Sequence, residues 1–460
     1  MSEEKIMSFN PPQKNSTGSL QKVTDWFSRS DNKIAITGLS RSGKSMLFTS
    51  LIYLLSERTK GAIDHLPLLR SLPKKLIDHI TLSNIDETSL FDYEKGLEAL
   101  SRGEWPNSTQ AVSGFKLQVY LKEDRFLLGR IKKFKIISFE FYDYPGEWLT
   151  DLPMLNKSFE SWSQQAFSQE TMEPLKSFSA EWHEFISDFD FDAPVSQENL
   201  AKIMTVYKHY LISSKNAGIT ILQPASMLLE TTDFDWIENG FTPLPDYVLT
   251  DKLHPWTQFF TENYQKYQKN WLKPLQEKYF ENTDMQIILV DLLEGLHFGQ
   301  NHLKQLKTTI SHIADNFTYG NRFYHKIFNK FDARIKKVAF VATKSDLIPY
   351  AQHQNFRSLL KNITEGVSGK IDREAVSFEY FILTAINTTA QKPDEENIIY
   401  YQNLQGDTIR RKFDAIPGRI LAIKNNQTFP FIKTYPSKDY EKQILQSQGI
   451  DSLLNYMLGG

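Results

Sequence analysis

Cysteine is absent from this chain of 460 residues. The absence excludes disulfide cross-links, thiolate zinc sites and catalysis by a cysteine nucleophile. No apolar run approaches the ~20 residues that a membrane-spanning helix needs. Residues 1–18 are polar and hold no apolar signal core, so we expect a flexible N-terminal arm there. The formal net charge of −2 argues against a general nucleic-acid-binding protein.

One glycine-containing motif stands near the N-terminus. Residues 38–45 read G-L-S-R-S-G-K-S and fit G-x-x-x-x-G-K-[ST], the phosphate-binding P-loop, or Walker A motif, of nucleoside triphosphatases. An apolar strand precedes the motif and an apolar helix follows it, so backbone N–H groups and the positive helix end would face a polyphosphate. Lys44 is expected to reach the β and γ oxygens, and the Ser45 hydroxyl to hold Mg²⁺. The residues predicted to contact the nucleotide here are Gly38, Ser40, Arg41, Ser42, Gly43, Lys44, Ser45 and Met46.

A second motif, D-x-x-G, follows the apolar strand that ends at Tyr142. At the carboxyl end of a strand, Asp143 could hold Mg²⁺ through water, and the Gly146 N–H could meet a γ-phosphate. The motif alone is weak, because Asp-x-Pro-Gly is also an ordinary turn. Glu147 stands where many GTPases have glutamine. A carboxylate cannot offer the amide that orients water, so slow hydrolysis is predicted.

Two further motifs follow later strands. Residues 343–346 read T-K-S-D and resemble the [NT]-K-x-D sequence by which Ras-like GTPases recognise guanine. The Asp346 carboxylate could accept hydrogen bonds from the N1–H and N2–H groups of guanine, which adenine lacks, while the stem of Lys344 lies over the base or ribose. The next strand leads into a T-A-I sequence that is similar to the base-supporting loop of the same proteins. The base-binding residues predicted in these two loops are Thr343, Lys344, Asp346, Thr384, Ala385 and Ile386.

Thr109 is the candidate switch threonine that would complete Mg²⁺ coordination when GTP is bound; the alternative is a Ser-Thr turn after Pro106. The predicted metal ligands are thus Ser45, Thr109 and Asp143, and the predicted catalytic residues are Lys44, Thr109, Gly146 and Glu147. The chain order of the four motifs favours GTP over ATP. Two alternatives stay open: an ATPase or phosphotransferase in which T-K-S-D is fortuitous, and a scaffold with a permanently bound structural nucleotide.

Apolar strands separated by helices predict an α/β fold with a mostly parallel sheet flanked by helices. The chain order of the four motifs resembles that of Ras-like proteins, which implies the P-loop NTPase type with helical insertions between the motifs. Segments 115–121 and 134–142 are expected to pair as a hairpin, and 419–423 and 429–435 to add a β pair. The predicted organisation is an N-terminal arm (1–18), a first part of the core with the P-loop (19–61), a helical insertion (62–107), a core part with the switch regions (108–148), a larger helical insertion (149–283), a core part with the base-recognition loops (284–390) and a C-terminal extension (391–460).

The insertions resemble those of the α subunits of heterotrimeric G proteins. In detail, the chain resembles the YcjX-like family of bacterial stress proteins, on the strength of residues 36–45, 105–109, 141–148 and 342–346. This resemblance implies a cytoplasmic, stress-linked protein that binds GTP or GDP with Mg²⁺. It supplies no known protein effector or activating partner, and it leaves contact with a membrane surface open.

Overall fold

A mostly parallel sheet forms the centre of the chain in the computed structural model, which describes residues 31–55, 77–85, 89–107, 111–122, 134–230, 234–280, 283–314, 335–369, 376–424, 427 and 429–458. Segment 1–18, predicted to be an arm, lies outside these ranges. The strands are β1 (Asp31–Gly38), β2 (Ile77–Ser83), β3 (Ser89–Leu90), β4 (Ser113–Lys122), β5 (Phe134–Asp143), β6 (Met285–Val290), β7 (Lys337–Ala342), β8 (Ser377–Ile382), β9 (Thr389–Ala390), β10 (Ile398–Gln402) and β11 (Thr408–Lys412).

Within these ranges the main sheet has the order β2-β4-β5-β1-β6-β7-β8, and the short β3 pairs with β4. Strands β5, β1, β6, β7 and β8 run parallel to their neighbours in that series. Strand β4 is antiparallel to both β2 and β5, which confirms the predicted hairpin. The prediction of a mostly parallel α/β sheet of the P-loop NTPase type is confirmed.

Helices cover both faces of this sheet. In chain order the helices of the described residues are α1 (Lys44–Leu55), α2 (Tyr93–Ser101), α3 (Gly146–Asp151), α4 (Phe159–Glu170), α5 (Lys176–Asp188), α6 (Gln197–Asn216), α7 (Asp246–Leu249), α8 (Pro255–Tyr267), α9 (Leu292–Phe298), α10 (Gln300–Ala314), α11 (His353–Ser368), α12 (Tyr440–Leu445) and α13 (Ile450–Leu458). Of these, α4 to α8 pack around a core of their own beside the sheet. Helix α8 continues through two π-helical stretches to Phe280. Among the described helices, none is long and apolar enough to cross a membrane.

Side chains alternate between the two faces along each buried strand. In β7, Val338 and Phe340 belong to a core shared with α9, α10 and α11. Ala339 and Val341, which point the other way, belong to a core shared with α1, α2, α12 and α13. A strand covered on both faces must be apolar at every position, which explains the continuous apolar runs seen in the sequence.

A third apolar core lies within the helical segment, which we define as residues 152–280. Its described helices pack around aromatic side chains, among which Trp162, Trp182 and Trp256 are fully buried. Edge-to-face contacts are frequent, such as Trp162 against Phe241 with ring centroids 5.3 Å apart. The aromatic residues of this segment therefore serve packing rather than an exposed binding surface.

Two predictions of secondary structure are wrong. Within the predicted helical insertion 62–107, residues 77–83 form β2 at the edge of the main sheet, and Tyr93–Ser101 is helical. Ile80 and Leu82 pack against the core two residues apart, so pairing with β4 overrides the helix-like spacing of leucines. The β pair predicted from 419–423 and 429–435 is also wrong.

The second error has a local cause. The side-chain amide of Gln300 donates to the carbonyl oxygens of Ile420 (3.2 Å) and Ile423 (2.7 Å). These carbonyl groups are therefore hydrogen-bonded to a side chain instead of to a neighbouring β-strand. Ile420–Ala422 forms a 3₁₀ turn instead. The described β structure of this region is a separate sheet with the order β11-β10-β9.

Helix α3, which follows the D-x-x-G sequence, is buried at all six residues and is fixed to the helical segment. The Asp151 carboxylate accepts hydrogen bonds from the backbone N–H of Ala225 (2.7 Å) and of Ser226 (2.8 Å), and from the hydroxyl of Tyr267 (2.7 Å). The three hydrogen bonds satisfy the buried carboxylate. Because hydrogen bonds are directional, they also fix the orientation of α3.

We expect Asp151→Asn to lower the free energy of unfolding by about 1–3 kcal/mol near neutral pH. The NH₂ group of the asparagine would replace one acceptor oxygen and would face the N–H and O–H groups that now donate to the carboxylate. Urea unfolding of the two proteins measures the difference. The matched control is Asp188→Asn at the exposed end of α5, which should change stability by less than about 0.5 kcal/mol. Equal stability of wild type and Asp151→Asn would contradict this anchor.

The same side chain predicts a pH dependence. Burial raises the pKa of Asp151 from its ordinary 3.8 to about 6, against the opposing effect of its hydrogen bonds. The folded state therefore binds this proton more tightly than the unfolded state, so the group adds stability as the pH falls through about 6. The stability difference between wild type and Asp151→Asn should widen from about pH 7 to about pH 5. Urea unfolding across that range would refute this prediction if the difference stayed constant or narrowed.

Candidate nucleotide-binding site

The predicted P-loop forms a tight curl between β1 and α1. Arg41 and Gly43 both have positive φ angles, 61° and 91°. A Cβ atom on Gly38 would lie 2.4 Å from Ser42 Oγ and 2.9 Å from the carbonyl oxygen of Leu289, so only glycine fits there. The backbone N–H of Ser42 closes the curl by donating to the carbonyl of Leu39 at 3.1 Å. The two glycines thus have the steric role that the motif predicts.

Lys44 lies inside this curl. Its Nζ donates to the carbonyl oxygens of Gly38 (2.8 Å) and Leu39 (3.2 Å). Burial lowers the pKa of Lys44, and the negative charges of Asp143 and Glu147 act in the opposite direction. The lysine of the P-loop is therefore close to both carboxylates of the D-x-x-G region.

Several buried hydroxyl groups around the loop have no hydrogen-bond partner in the described part of the protein. They are the side chains of Ser40, Ser42 and Thr343. A buried polar group costs free energy unless it is paired, so such a cluster suits a ligand rich in acceptors. Together with the glycine curl, these groups fit a polyphosphate.

The D-x-x-G sequence packs directly on the P-loop. Asp143 ends β5 and is fully buried beside β1, opposite Ile36. A Cβ atom on Gly146 would lie 2.3 Å from the backbone nitrogen of Ser40. Gly146 therefore allows an approach between the two backbones that any side chain would prevent. The pattern D-x-x-G, weak as a sequence signal, is here in contact with the P-loop.

Glu147 is not free beside the P-loop. Its Oε1 accepts a hydrogen bond from the Nζ of Lys215 at 2.9 Å, and the glutamate side chain is only 3% exposed. Lys215 belongs to the last turn of α6, 68 residues along the chain from Glu147. No local sequence pattern marks Lys215 as the partner of Glu147.

The T-K-S-D sequence lies next to the P-loop. A Cβ atom on Gly43 would lie 3.8 Å from the Cβ of Thr343. Lys344 has a left-handed backbone with φ of 58°, and its Nζ donates to Oδ2 of Asp291 at 2.5 Å. Asp291 immediately follows β6 and caps α9. Asp291 is not among the predicted site residues; its place at the end of a strand is the one sequence signal that it shares with Asp143.

Thr388 orients the carboxylate of Asp346. Both its backbone N–H (3.0 Å) and its hydroxyl (2.8 Å) donate to Oδ2 of Asp346. Burial raises the pKa of this carboxyl group, and the two bonds from Thr388 oppose that rise. A carboxylate has about four acceptor positions, so these bonds leave room for a base edge.

The T-A-I loop joins two parts of the site. The hydroxyl groups of Ser345 and Thr384 are hydrogen-bonded at 2.7 Å, and Ser50 in α1 donates to the carbonyl of Ala385 at 2.8 Å. Ile386 is buried in the core that contains α1. The structure therefore brings this loop, the T-K-S-D sequence and the helix after the P-loop together. Ser50 and Thr388 are further residues that the sequence analysis missed.

The remaining predicted residues are placed as follows. Ser45 and Met46 lie half-buried in the first turn of α1, and Arg41 is exposed. Thr109 lies outside the described residues, so its predicted switch role is untested. The set of Mg²⁺ ligands, Ser45, Thr109 and Asp143, stays a prediction.

Comparisons with known proteins show which family the chain belongs to. The chain is 27% identical to the protein named Ras-like GTPase YcjX from Escherichia coli (strain K12), over 93% of this chain and 95% of the relative. It is 26% identical to the protein of the same name from Shewanella oneidensis, over 93% of this chain and 94% of the relative. A family model described as YcjX-like family, DUF463, matches residues 32–460 and so spans the P-loop, the D-x-x-G sequence and both base loops. The chain belongs to this YcjX-like family.

Proposed function

We propose that this protein binds GTP, hydrolyses it slowly with Mg²⁺ and acts as a nucleotide-gated switch. The observation that carries the proposal is the meeting of four motifs at one edge of the sheet. Gly146 packs on the backbone of Ser40, and Gly43 adjoins Thr343. The printed names of the two relatives, Ras-like GTPase, support the same activity.

Guanine is the base that the site suits. Asp346 is held by Thr388 at the end of a parallel strand, where α/β sheets bind ligands. Guanine offers two adjacent N–H donors to such a carboxylate, whereas adenine offers none at those positions. An ATPase would have no use for a buried, oriented carboxylate here, so this geometry favours GTP.

Hydrolysis would break the bond between the γ-phosphorus and the bridging oxygen to the β-phosphate while a water oxygen attacks in line. The water proton would pass to phosphate or solvent. Mg²⁺, when bound, would neutralise charge on the β and γ oxygens. Lys44 would exchange the carbonyls of Gly38 and Leu39 for phosphate oxygens, and loop N–H groups would stabilise the developing charge. Glu147 offers no amide donor for the water, so the isolated protein should turn over slowly.

Switching would pass through α3. A γ-phosphate must be accommodated beside Gly146, and α3 begins at that residue. Because Asp151 joins α3 to the helical segment by hydrogen bonds, a shift of Gly146 would also displace residues of that segment. From the family resemblance we extend the proposal to a cytoplasmic protein of the bacterial stress response, with an unidentified protein effector or activating partner and with membrane-surface contact open.

Asp346→Asn should weaken GTP binding by about 100-fold, because the amide cannot accept both guanine donors. The variant should gain affinity for xanthosine triphosphate, whose carbonyl can accept from the new amide. Titration calorimetry with each nucleotide measures both changes, and Asp394→Asn at an exposed loop position is the matched control. Equal affinity of the wild-type protein for ATP and GTP, or ATP retained by the purified protein, would support the ATPase alternative.

Lys44→Ala should weaken GTP binding in Mg²⁺ buffer by more than about 100-fold, because triphosphate charge would lose its buried cation. Lys95→Ala in α2, whose side chain is 80% exposed, should leave the affinity unchanged. Circular dichroism of both variants checks that they fold. If a folded Lys44→Ala protein binds GTP as tightly as wild type, the P-loop does not hold the triphosphate.

A further inference from the structure

Two carboxylates and two amines interact at the junction of the P-loop and the helical segment. The charges of Asp143 and Glu147 both act on Lys44. Lys215 Nζ lies 2.9 Å from Oε1 of Glu147. The formal charges of these four side chains cancel. Removing Lys215 alone would leave a buried negative charge next to the phosphate-binding loop.

The position of Lys215 is fixed by contacts on its C-terminal side. Helix α6 ends at Asn216, and Gly218 follows with a φ of 103°. Thr220 then donates to Oε1 of Glu294 in α9 through its backbone N–H (3.1 Å) and through its hydroxyl (2.9 Å). His302 in α10 bonds to the same oxygen at 2.9 Å. The end of α6 is therefore attached to helices of the sheet core, five residues from Lys215.

This attachment holds Lys215 against Glu147, which follows the residue that packs on the P-loop. Gly146 is in contact with the P-loop backbone, and Glu147 is the next residue. GTP carries a γ-phosphate and GDP does not, so a charge near Glu147 acts more strongly on GTP than on GDP. The electrostatic interaction of a buried carboxylate with a nearby phosphate is large enough to change affinity severalfold.

We propose that Lys215 is a positioning and specificity residue that neutralises Glu147, so that the site accepts GTP alongside GDP. The helical segment thereby contributes the cation that decides between the two nucleotide states. This inference rests on the proposed function, since it assigns a role within the same site. Lys215 acts through Glu147 rather than on the reacting atoms.

The test is the ratio of two dissociation constants, for a non-hydrolysable GTP analogue and for GDP, measured by calorimetry in Mg²⁺ buffer. In Lys215→Ala the analogue should weaken by about tenfold relative to GDP, because Glu147 is left uncompensated. Lys215→Arg keeps the cation and should keep the wild-type ratio. Glu147→Gln alone leaves the Lys215 charge unpaired and should favour the analogue.

The double variant Lys215→Ala/Glu147→Gln removes both charges and should return the ratio to within about threefold of wild type. Lys208→Ala is the matched control, because Lys208 is an exposed lysine of the same helix. If Lys215→Ala does not fold, the ratios measured for Lys215→Arg and for the double variant test the proposal. A changed ratio in the double variant, or equal weakening of both nucleotides in Lys215→Ala, would overturn the proposal. Wild-type protein that binds neither nucleotide would instead overturn the proposed function.

Discussion

The parallel pairing of β1 with both β5 and β6 is the constraint on which the candidate site depends. Parallel strands end at the same edge of a sheet, so loops that are far apart along the chain meet there. The P-loop follows β1, Asp143 ends β5, and Asp291 follows β6. Strands β7 and β8 extend the same order and add the two base loops. Each motif needs its neighbours, because the proposed nucleotide would contact all of these loops at once.

Close backbone contact at that edge leaves little freedom. Gly146 touches the backbone at Ser40, and the helix that begins at Gly146 is buried along its whole length. In this protein the segment after D-x-x-G is therefore an interior helix held between the sheet and the helical segment. Its polar side chains are paired: Glu147 with Lys215, and Asp151 with two backbone N–H groups and Tyr267. Because close-packed interiors transmit strain, a displacement at the P-loop would also load α3 and its partners.

The helical segment is more than a separate bundle beside the sheet. Its aromatic core packs within the segment and does not fix how the segment is oriented on the sheet. Its polar contacts, in contrast, are made to α3 and to Glu294. Lys215 and Thr220 stand five residues apart in the chain, and they connect the segment to Glu147 and to α9 respectively. The sheet core and the helical segment thus share buried hydrogen bonds, which are directional in a way that apolar contacts are not.

The sequence alone determined the P-loop, the order of the motifs along the chain and the apolar strands. These features depend on residues that are neighbours in the chain. The tight curl of Gly38 and Gly43 and the alternation along β7 are local consequences of that kind. Only the tertiary structure decided the partners of the functional side chains. Lys215 lies 68 residues from Glu147, and Ser50 lies 335 residues from Ala385. The leucine spacing around the edge strand β2 favours a helix for the same reason: the pairing of β2 with β4 is a long-range contact that local spacing does not encode.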